Sequence, residues 1–370
     1  MVMMILKSTR DALLSPLQAV SGIVERRHTL PILSNVLLEK QGDHLTLLAT
    51  DIEIQITTKR EHVGGEGDGA VTVAAKKLQD ILRSLPESAE IVLDLEDKRL
   101  LVKAGRSRFS LQTLPADDFP RMMIAEGEEK TLTITQKDFR FLIGKTQYAM
   151  ASQDVRYYLN GLMLMVDGQE LRCVATDSHR LAYNSMDIAA DLPRQEMILP
   201  RKTVLELNRL LTDSEETLKI TVGGNQIRFE FGDTVLVSKL IDGKFPDYER
   251  VIPAELVNHM VANRQELHSA MSRVAILTND KFHGVRVILD DNTLKIIAAN
   301  AEQEEAQEEI EVKYDGAPLD VGFNVTYLLD VLNNLTGDEI RWSFNDANSS
   351  ALITVPGNER FKYVVMPMRI

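Results

Sequence analysis

The 370-residue sequence predicts an α+β protein made of three repeats of one domain, each with about two helices and eight strands. Three observations predict it: short motifs recurring at a fixed spacing, alternating apolar and polar residues in runs of strand length, and short amphipathic helices. The spacing carries most weight. Leucine-rich segments at 79–86, 205–212 and 329–336, marked by Leu85, Leu211 and Leu335, lie 126 and 124 residues apart. LTLLATD ending at Asp51, LRCVATD ending at Asp177 and LKIIAAN ending at Asn300 repeat at 126 and 123. DDFP at Pro120 and GKFPDY at Pro246 are again 126 apart. Domain limits of 1–125, 126–254 and 255–370 follow.

The elements can be read in order. MVMMILKSTRDALL is apolar, lacks the basic start and small-residue cleavage site of a signal peptide, and reads as a first strand. Ser8, three residues before Asp11, resembles a capping box ahead of Ala12, Leu13 and Leu14. Pro16 inside that run predicts a kinked or broken first helix. GGEGDG at 64–69 lacks the Lys-Ser/Thr of a phosphate loop and reads as a hairpin tip, with Glu66 and Asp68 at most weak cation ligands. Pro200 before Arg201 and Lys202 predicts a helix with proline at its first position. In 220–240, Ile220, Val222, Ile227, Phe229 and Phe231 alternate around a hairpin turn at 223–225.

Composition bounds the function. With 44% hydrophobic and 26% charged residues, the chain reads as an ordinary globular protein. Apolar runs such as 161–166 are too short to span a bilayer, so no membrane association is expected. Cys173 is the only cysteine, which rules out an internal disulfide, argues against a zinc cluster and suits the cytoplasm. A net charge of −13 argues against binding nucleic acid over the whole surface. The six helices expected at 7–20, 75–85, 136–150, 200–211, 263–277 and 324–335 nevertheless carry +1, +2, +2, +2, +1 and −1. They hold +7, leaving −20 elsewhere, so a face lined by helices is basic and the remainder repels phosphate. The acidic sixth helix is an exception. A second contrast sets residues 98–108, with five bases and no acid, against 302–311, with six glutamates and no base. Opposite charge in the first and third repeats suits a head-to-tail contact, which closes into a ring when the rotation permits.

Catalytic readings fail on geometry. Asp177, Ser178 and His179 are consecutive and cannot converge as a triad. No Gly-x-Ser-x-Gly is present, the histidines lack metal-ligand spacing, and the glutamate run lacks EF-hand order. No catalytic residue, metal or cofactor is expected.

Several segments, taken together, carry a resemblance along the whole chain: TLPILSN at 29–35, QDVRYYLNG at 153–161, ATDSHRLA at 175–182, SKLIDGKFPDYERVIP at 238–253, NDKFHGVRV at 279–287, GFNVTYLLDVLN at 322–333 and the terminal YVVMPMRI. The chain resembles the β subunit of bacterial DNA polymerase III, the sliding-clamp family. The resemblance implies a DNA clamp fold: a head-to-tail homodimeric ring, helices lining its interior and sheets outside, that encircles duplex DNA without catalysis and tethers polymerases. Implied partners are the polymerase III α subunit and other polymerases, the clamp loader δ subunit, and other clamp-binding-motif proteins of mismatch repair and replication initiation control.

The resemblance also implies sites. A peptide cleft between the second and third domains would use Leu159, Thr176, His179, Arg180, Leu181, Pro246, Arg250 and Val251 with Asn324, Tyr327, Val364, Met366, Pro367, Met368 and Arg369. Its Leu, Val, Pro and Met side chains suit the Leu and Phe anchors of a short peptide, while Arg180 and Arg250 orient its backbone and a Gln. The family usually has Gly where this chain has Ser178, which adds a side chain there. Implied DNA contacts are Gln18, Arg27, Gln153, Tyr157, Tyr158, Arg201 and Lys202, one tyrosine of the pair being open to burial instead. The dimer seam would join Phe109 and Leu111 to Ile276 and Leu277, flanked by Arg99, Lys103, Arg106 and Arg108 on one side and Glu302, Glu304 and Glu305 on the other. Two readings from other classes stay open on residues alone: a protein-binding scaffold without topological DNA binding, and a metal-dependent nuclease or phosphoesterase.

Overall fold

The computed structural model describes residues 4–25, 30–123, 130–279 and 281–369. Among them lie six α-helices and 22 strands. The first repeat runs β1 (Met4–Thr9), α1 (Arg10–Ser21), β2 (Asn35–Gln41), β3 (His44–Thr50), β4 (Ile54–Arg60), β5 (Gly69–Ala74), α2 (Ala75–Ser84), β6 (Glu90–Glu96), β7 (Arg99–Ala104) and β8 (Ser107–Leu114). The second runs β9 (Lys130–Thr135), α3 (Gln136–Gly144), β10 (Gly161–Thr176), β11 (Arg180–Pro200), α4 (Arg201–Leu210), β12 (Thr217–Gly223), β13 (Gln226–Phe231) and β14 (Thr234–Lys239). The third runs β15 (Asn258–Asn263), α5 (Arg264–Val274), β16 (Gly284–Asp290), β17 (Thr293–Ala299), β18 (Glu305–Glu311), β19 (Leu319–Asn324), α6 (Val325–Asn334), β20 (Glu339–Phe344), β21 (Ala351–Val355) and β22 (Asn358–Val365). β10 lies 126 residues beyond β2 and β3 together, and β11 the same distance beyond β4 and β5. Each long strand therefore does the work of two, and every repeat has two helices and the equivalent of eight strands.

The sheets ignore the repeat boundaries. Twelve strands form one sheet in the order β1-β6-β7-β8-β5-β2-β3-β4-β14-β13-β12-β9. Here β4 of the first repeat pairs with β14 of the second, Ile54 opposite Ser238 and Thr58 opposite Thr234. A six-stranded sheet, β10-β11-β22-β21-β20-β15, joins the second repeat to the third through β11 and β22, Arg180 opposite Val365. The third sheet, β18-β17-β16-β19, lies within the third repeat. The chain accordingly divides into two compact units, 1–140 with 205–240 and 141–204 with 241–370, cut through the second repeat.

Among the described residues, two strands lack the partner that their counterparts in the other repeats have. β8 pairs with β7 along its length but with β5 only at Thr113 and Leu114. β18 has β17 on one side and no strand on the other. Their places in the repeat are telling. β8 stands where β14 and β22 stand in the other repeats, and β18 stands where β4 and the start of β11 stand.

Several local expectations need correction. Thr9, not Ser8, caps α1, its hydroxyl accepting from Ala12 N at 3.3 Å. α1 continues through Pro16 as one helix. Pro16 is buried with Leu13, Leu14, Leu17 and Val20. Burial of four aliphatic side chains, at roughly 1.5–3 kcal/mol each, outweighs the ~3 kcal/mol cost of an internal proline. Pro200 ends β11, opposite Gly161, and precedes the helix rather than opening it. Residues 64–69 are not a hairpin tip, because β4 and β5 do not pair. That loop instead borders β1, with Ile5 and Glu66 exchanging backbone hydrogen bonds at 2.9 and 3.0 Å. Gly65 is required there: its φ is +110° and a Cβ would fall 2.0 Å from the Ile5 carbonyl oxygen. The turn between β12 and β13 forms as read, Gly223 opposite Gln226 with Gly224 at φ +57°. Lys7 lies in β1 and Lys145 beyond α3, so the helices carry +5 and the rest −18.

Candidate functional site

The recurring Thr-Asp motif builds a turn. Between β10 and β11, Thr176 Oγ1 donates to the Arg180 carbonyl at 2.6 Å and accepts from Ser178 N at 3.1 Å. Asp177 Oδ1 accepts from the backbone N–H groups of His179 and Arg180. Thr50 and Asp51 repeat this pattern toward Ile52, Glu53 and Ile54 between β3 and β4. The middle residue is left-handed in both, with φ +72° at Ile52 and at Ser178. In the third repeat Asn300 accepts instead from Glu302 N and Glu304 N.

Beside the second of these turns lies a cleft of about 200 Å³ within the second compact unit. Leu159, Thr176, His179, Arg180, Leu181, Pro246, Val251, Val364 and Met366 line it. Its floor is a packed layer of Met163, Met165, Val174, Leu181, Tyr183, Ile198, Phe245, Tyr248 and Val364. The floor is buried, while Met366 and Val251 at the margin stay exposed. Asn324, Tyr327, Pro367, Met368 and Arg369 lie outside this cavity. Tyr327 adjoins it, its ring 6.4 Å from that of His179 and nearly parallel. Asn324 is committed as the α6 cap, accepting from Thr326 N. The terminal segment is not free: Met366 N donates to His179 O and Met368 N to Gly322 O, both at 2.9 Å.

Arg180 lines the cleft and is also bound into the fold. Its side chain is 9% exposed. Nε donates to Asp177 at 3.1 Å, Nη1 to Asp330 at 2.5 Å and Nη2 to the Tyr148 carbonyl at 2.7 Å. Tyr327 packs on the guanidinium at 4.4 Å. Burial opposes its charge, but Tyr363, Asp330 and Asp177 hold its pKa above the usual arginine value. Arg180 therefore ties the turn to α6, each of its three nitrogens already donating within the fold. Its partner Asp330 is the acid that makes the sixth helix negative. Arg250 also lies outside the cavity lining and is exposed, paired among the described residues with Asp247 at 2.8 Å.

Sequence reasoning missed two contributors to the cleft, Arg156 and Tyr248, and assigned Tyr158, a third, to DNA. Tyr158 is partly buried against the cleft floor, whereas Tyr157 is 58% exposed. Arg201 donates to the Met150 carbonyl at 3.0 Å, and its N–H meets Asn160 O beside the Tyr157–Leu159 turn. Lys202 is half-buried on α4 and Gln153 is exposed at φ +60°. Gln18 sits on α1 in the first compact unit, and Arg27 lies outside the described residues.

Of the residues expected at the seam, Arg108, Phe109, Leu111 and Glu305 lie on the two edge strands β8 and β18 and the others lie off them. Arg108, Phe109 and Leu111 are on β8, with Phe109 and Leu111 half-buried. Glu305 is on β18, and Glu302 and Glu304 just precede it, all exposed. Ile276 is 77% exposed at the end of α5. Leu277 is half-buried, Arg99 and Arg106 are exposed, and Lys103 is already paired with Asp94 at 2.7 Å. No helix among the described residues is long and apolar enough to cross a membrane.

Family models of the DNA polymerase III beta subunit match in three parts: the N-terminal domain at 4–123, the central domain at 133–247 and the C-terminal domain at 249–369. The chain is 51% identical over 362 residues to the beta sliding clamp of Pseudomonas putida, covering 98% of each. It is 48% identical over 361 residues to that of Escherichia coli K12, again covering 98% of each. The crystal structure of the DnaN sliding clamp of Pseudomonas aeruginosa bound to griselimycin is similar throughout, with a TM-score of 0.94, 49% identity and 100% coverage of both chains.

Proposed function

The chain belongs to the DNA polymerase III beta subunit family and is a sliding clamp, a DNA polymerase processivity factor built of three clamp domains; from that premise we propose how it closes, holds DNA and receives partners. Two copies join head to tail, β8 of one adding to β18 of the other. The observation that carries this is the open pair of edges. The chain makes the β4–β14 and β11–β22 joints internally and leaves unmade the one that β18 and β8 would form. An exposed strand edge invites pairing, and here the two edges have opposite charge. Phe109 and Leu111 would meet Ile276 and Leu277 beside the strands, with Arg106 and Arg108 facing Glu302, Glu304 and Glu305. Domain limits near 1–125, 126–254 and 255–370 make each joint a boundary between domains.

The ring encircles duplex DNA, and Gln18, Arg27, Gln153, Tyr157, Arg201 and Lys202 give it a weakly attractive lining. Contacts must be few and water-mediated, since tight ones would stop sliding. The cleft beside the 176–180 turn takes a short linear peptide, its Leu and Phe anchors in the apolar floor. Bearers of such peptides are the polymerase III α subunit, other polymerases, the clamp loader δ subunit, and proteins of mismatch repair and initiation control. The protein has no catalytic role and works in the cytoplasm, at replication forks on the nucleoid.

The deciding experiment loads the clamp onto a nicked circle with a clamp loader and ATP, washes at high salt, then linearises the circle. Retention through the wash and release only on cutting is the expected result. Loss in the salt wash, or persistence on linear DNA, would mean open binding or a scaffold.

A further inference from the structure

Ser178 is a side chain in a conformation that glycine prefers, at φ +72°. Its hydroxyl has a definite use. Ser178 Oγ donates to the Asp177 carbonyl at 2.5 Å and accepts from Arg156 Nη2 at 2.9 Å. Asp154 takes the same guanidinium from the other side, accepting from Nε at 3.0 Å and Nη2 at 2.9 Å. The loop under Asp154 is itself fixed, because Asn160 accepts from Asp154 N and donates to Asp154 O. Arg156 and Ser178 both line the cleft. Among the described residues none accepts from Arg156 Nη1. A guanidinium held on two sides thus leaves one pair of N–H donors at the cleft margin.

We propose that Ser178 is a positioning residue of the peptide cleft: it holds Arg156 so that the free Nη1 donors meet a carbonyl oxygen, main-chain or amide, of the bound peptide. The inference rests on the peptide-cleft reading above. It assigns polar recognition to Arg156, which is more exposed than Arg180 and keeps a whole Nη1 group without an acceptor among the described residues. A neutral acceptor suits the site, because Asp154 already balances the arginine's charge and would repel a second carboxylate beside it. The hydrogen bonds from Arg156 hold the Asp154 carboxyl down to about 2, so the balance persists at neutral pH. With glycine in place of Ser178 the guanidinium loses one of its two anchors, and its ordering falls to the binding step.

The test is a double-mutant cycle on the full-length protein. The probe is a C-terminally amidated Gln-Ala-Ala-Leu-Phe peptide carrying a neutral BODIPY dye, read by anisotropy. This peptide carries no carboxylate, so any loss reports a neutral acceptor. Ser178→Gly and Arg156→Ala should each weaken binding about 3- to 10-fold, the scale of one well-placed hydrogen bond. The double variant should bind no worse than Arg156→Ala alone. Arg156→Lys, which keeps the charge but not the fork, should match Arg156→Ala. Ser178→Gly should also unfold no earlier than wild type, which separates positioning from general weakening. Wild-type affinity in Ser178→Gly, or additive losses in the double variant, would overturn the proposal. Failure of the peptide to bind wild type would instead overturn the cleft reading beneath it.

Discussion

Arg180 shows how one side chain decides the character of the site. Removing it would leave Asp177, Asp330 and the Tyr148 carbonyl without their shared donor, two of them acids in or near the interior. Breaking a buried ion network from one side costs about 3 kcal/mol or more, so Arg180→Ala should lower the urea midpoint followed by far-UV circular dichroism. Arg180→Lys should fall between, since one ammonium cannot reach three acceptors at once. An unchanged midpoint for Arg180→Ala would mean that the network contributes nothing. Asp154 gives a pH-dependent counterpart. Its folded pKa, about 2, is depressed by Arg156, so its stabilising effect is complete above the unfolded value near 3.9 and is lost as pH falls through 2. The difference in unfolding midpoint between wild type and Asp154→Asn should therefore be constant above about pH 5 and shrink on acidification. At this scale the sequence was only partly legible. The ATD motif marked the turn and Ser178 stood out, but nothing in the order of residues tells that every nitrogen of Arg180 is engaged or that Arg156 lies beside Ser178. Those facts need the chain to bring 156, 178 and 330 together.

Among the elements, β8 and β18 make the sharpest prediction. Ile276→Asp and Leu277→Asp should each give monomers in sedimentation velocity at micromolar concentration, because a buried unpaired carboxylate costs several kcal/mol. Arg106→Glu with Arg108→Glu should weaken the dimer less, and more at low salt than at high, since rim charges are screened. A dimer unchanged by the aspartates would place the interface elsewhere. Element positions were largely readable, because a period near 125 repeats the same strand and helix grammar three times. What escaped was decided by long-range pairing. The fusion of two strands each into β10 and β11 depends on the ladder between them, and α1 survives Pro16 because of what its buried face meets. The 64–69 loop looked like a hairpin tip only because local residues cannot say that β1 lies beside it.

For the whole molecule, the contrast between a total of −13 and helices of +5 carries the argument. A globally acidic body repels DNA, so retention should come from enclosure more than from affinity. Uncut circles should hold the loaded clamp through salt that strips an ordinary basic groove binder. The charge blocks at 98–108 and 302–311 were visible in the sequence as a contrast, yet only the sheet order reveals that both flank unpaired edges.

The repetition of one joint also sets where a closed ring gives way. Within a chain, the strands of the β4–β14 and β11–β22 joints are tethered by the polypeptide, so a broken joint faces a partner at very high effective concentration and reforms at once. The proposed seams, two in a closed dimer, would have the same kind of strand addition but no polypeptide across them. One broken seam would be held near only by the other, so it would reclose at a lower effective concentration than the joints within a chain. Contacts alike in geometry would thus differ in kinetics, and a seam is where the ring would part without unfolding a domain.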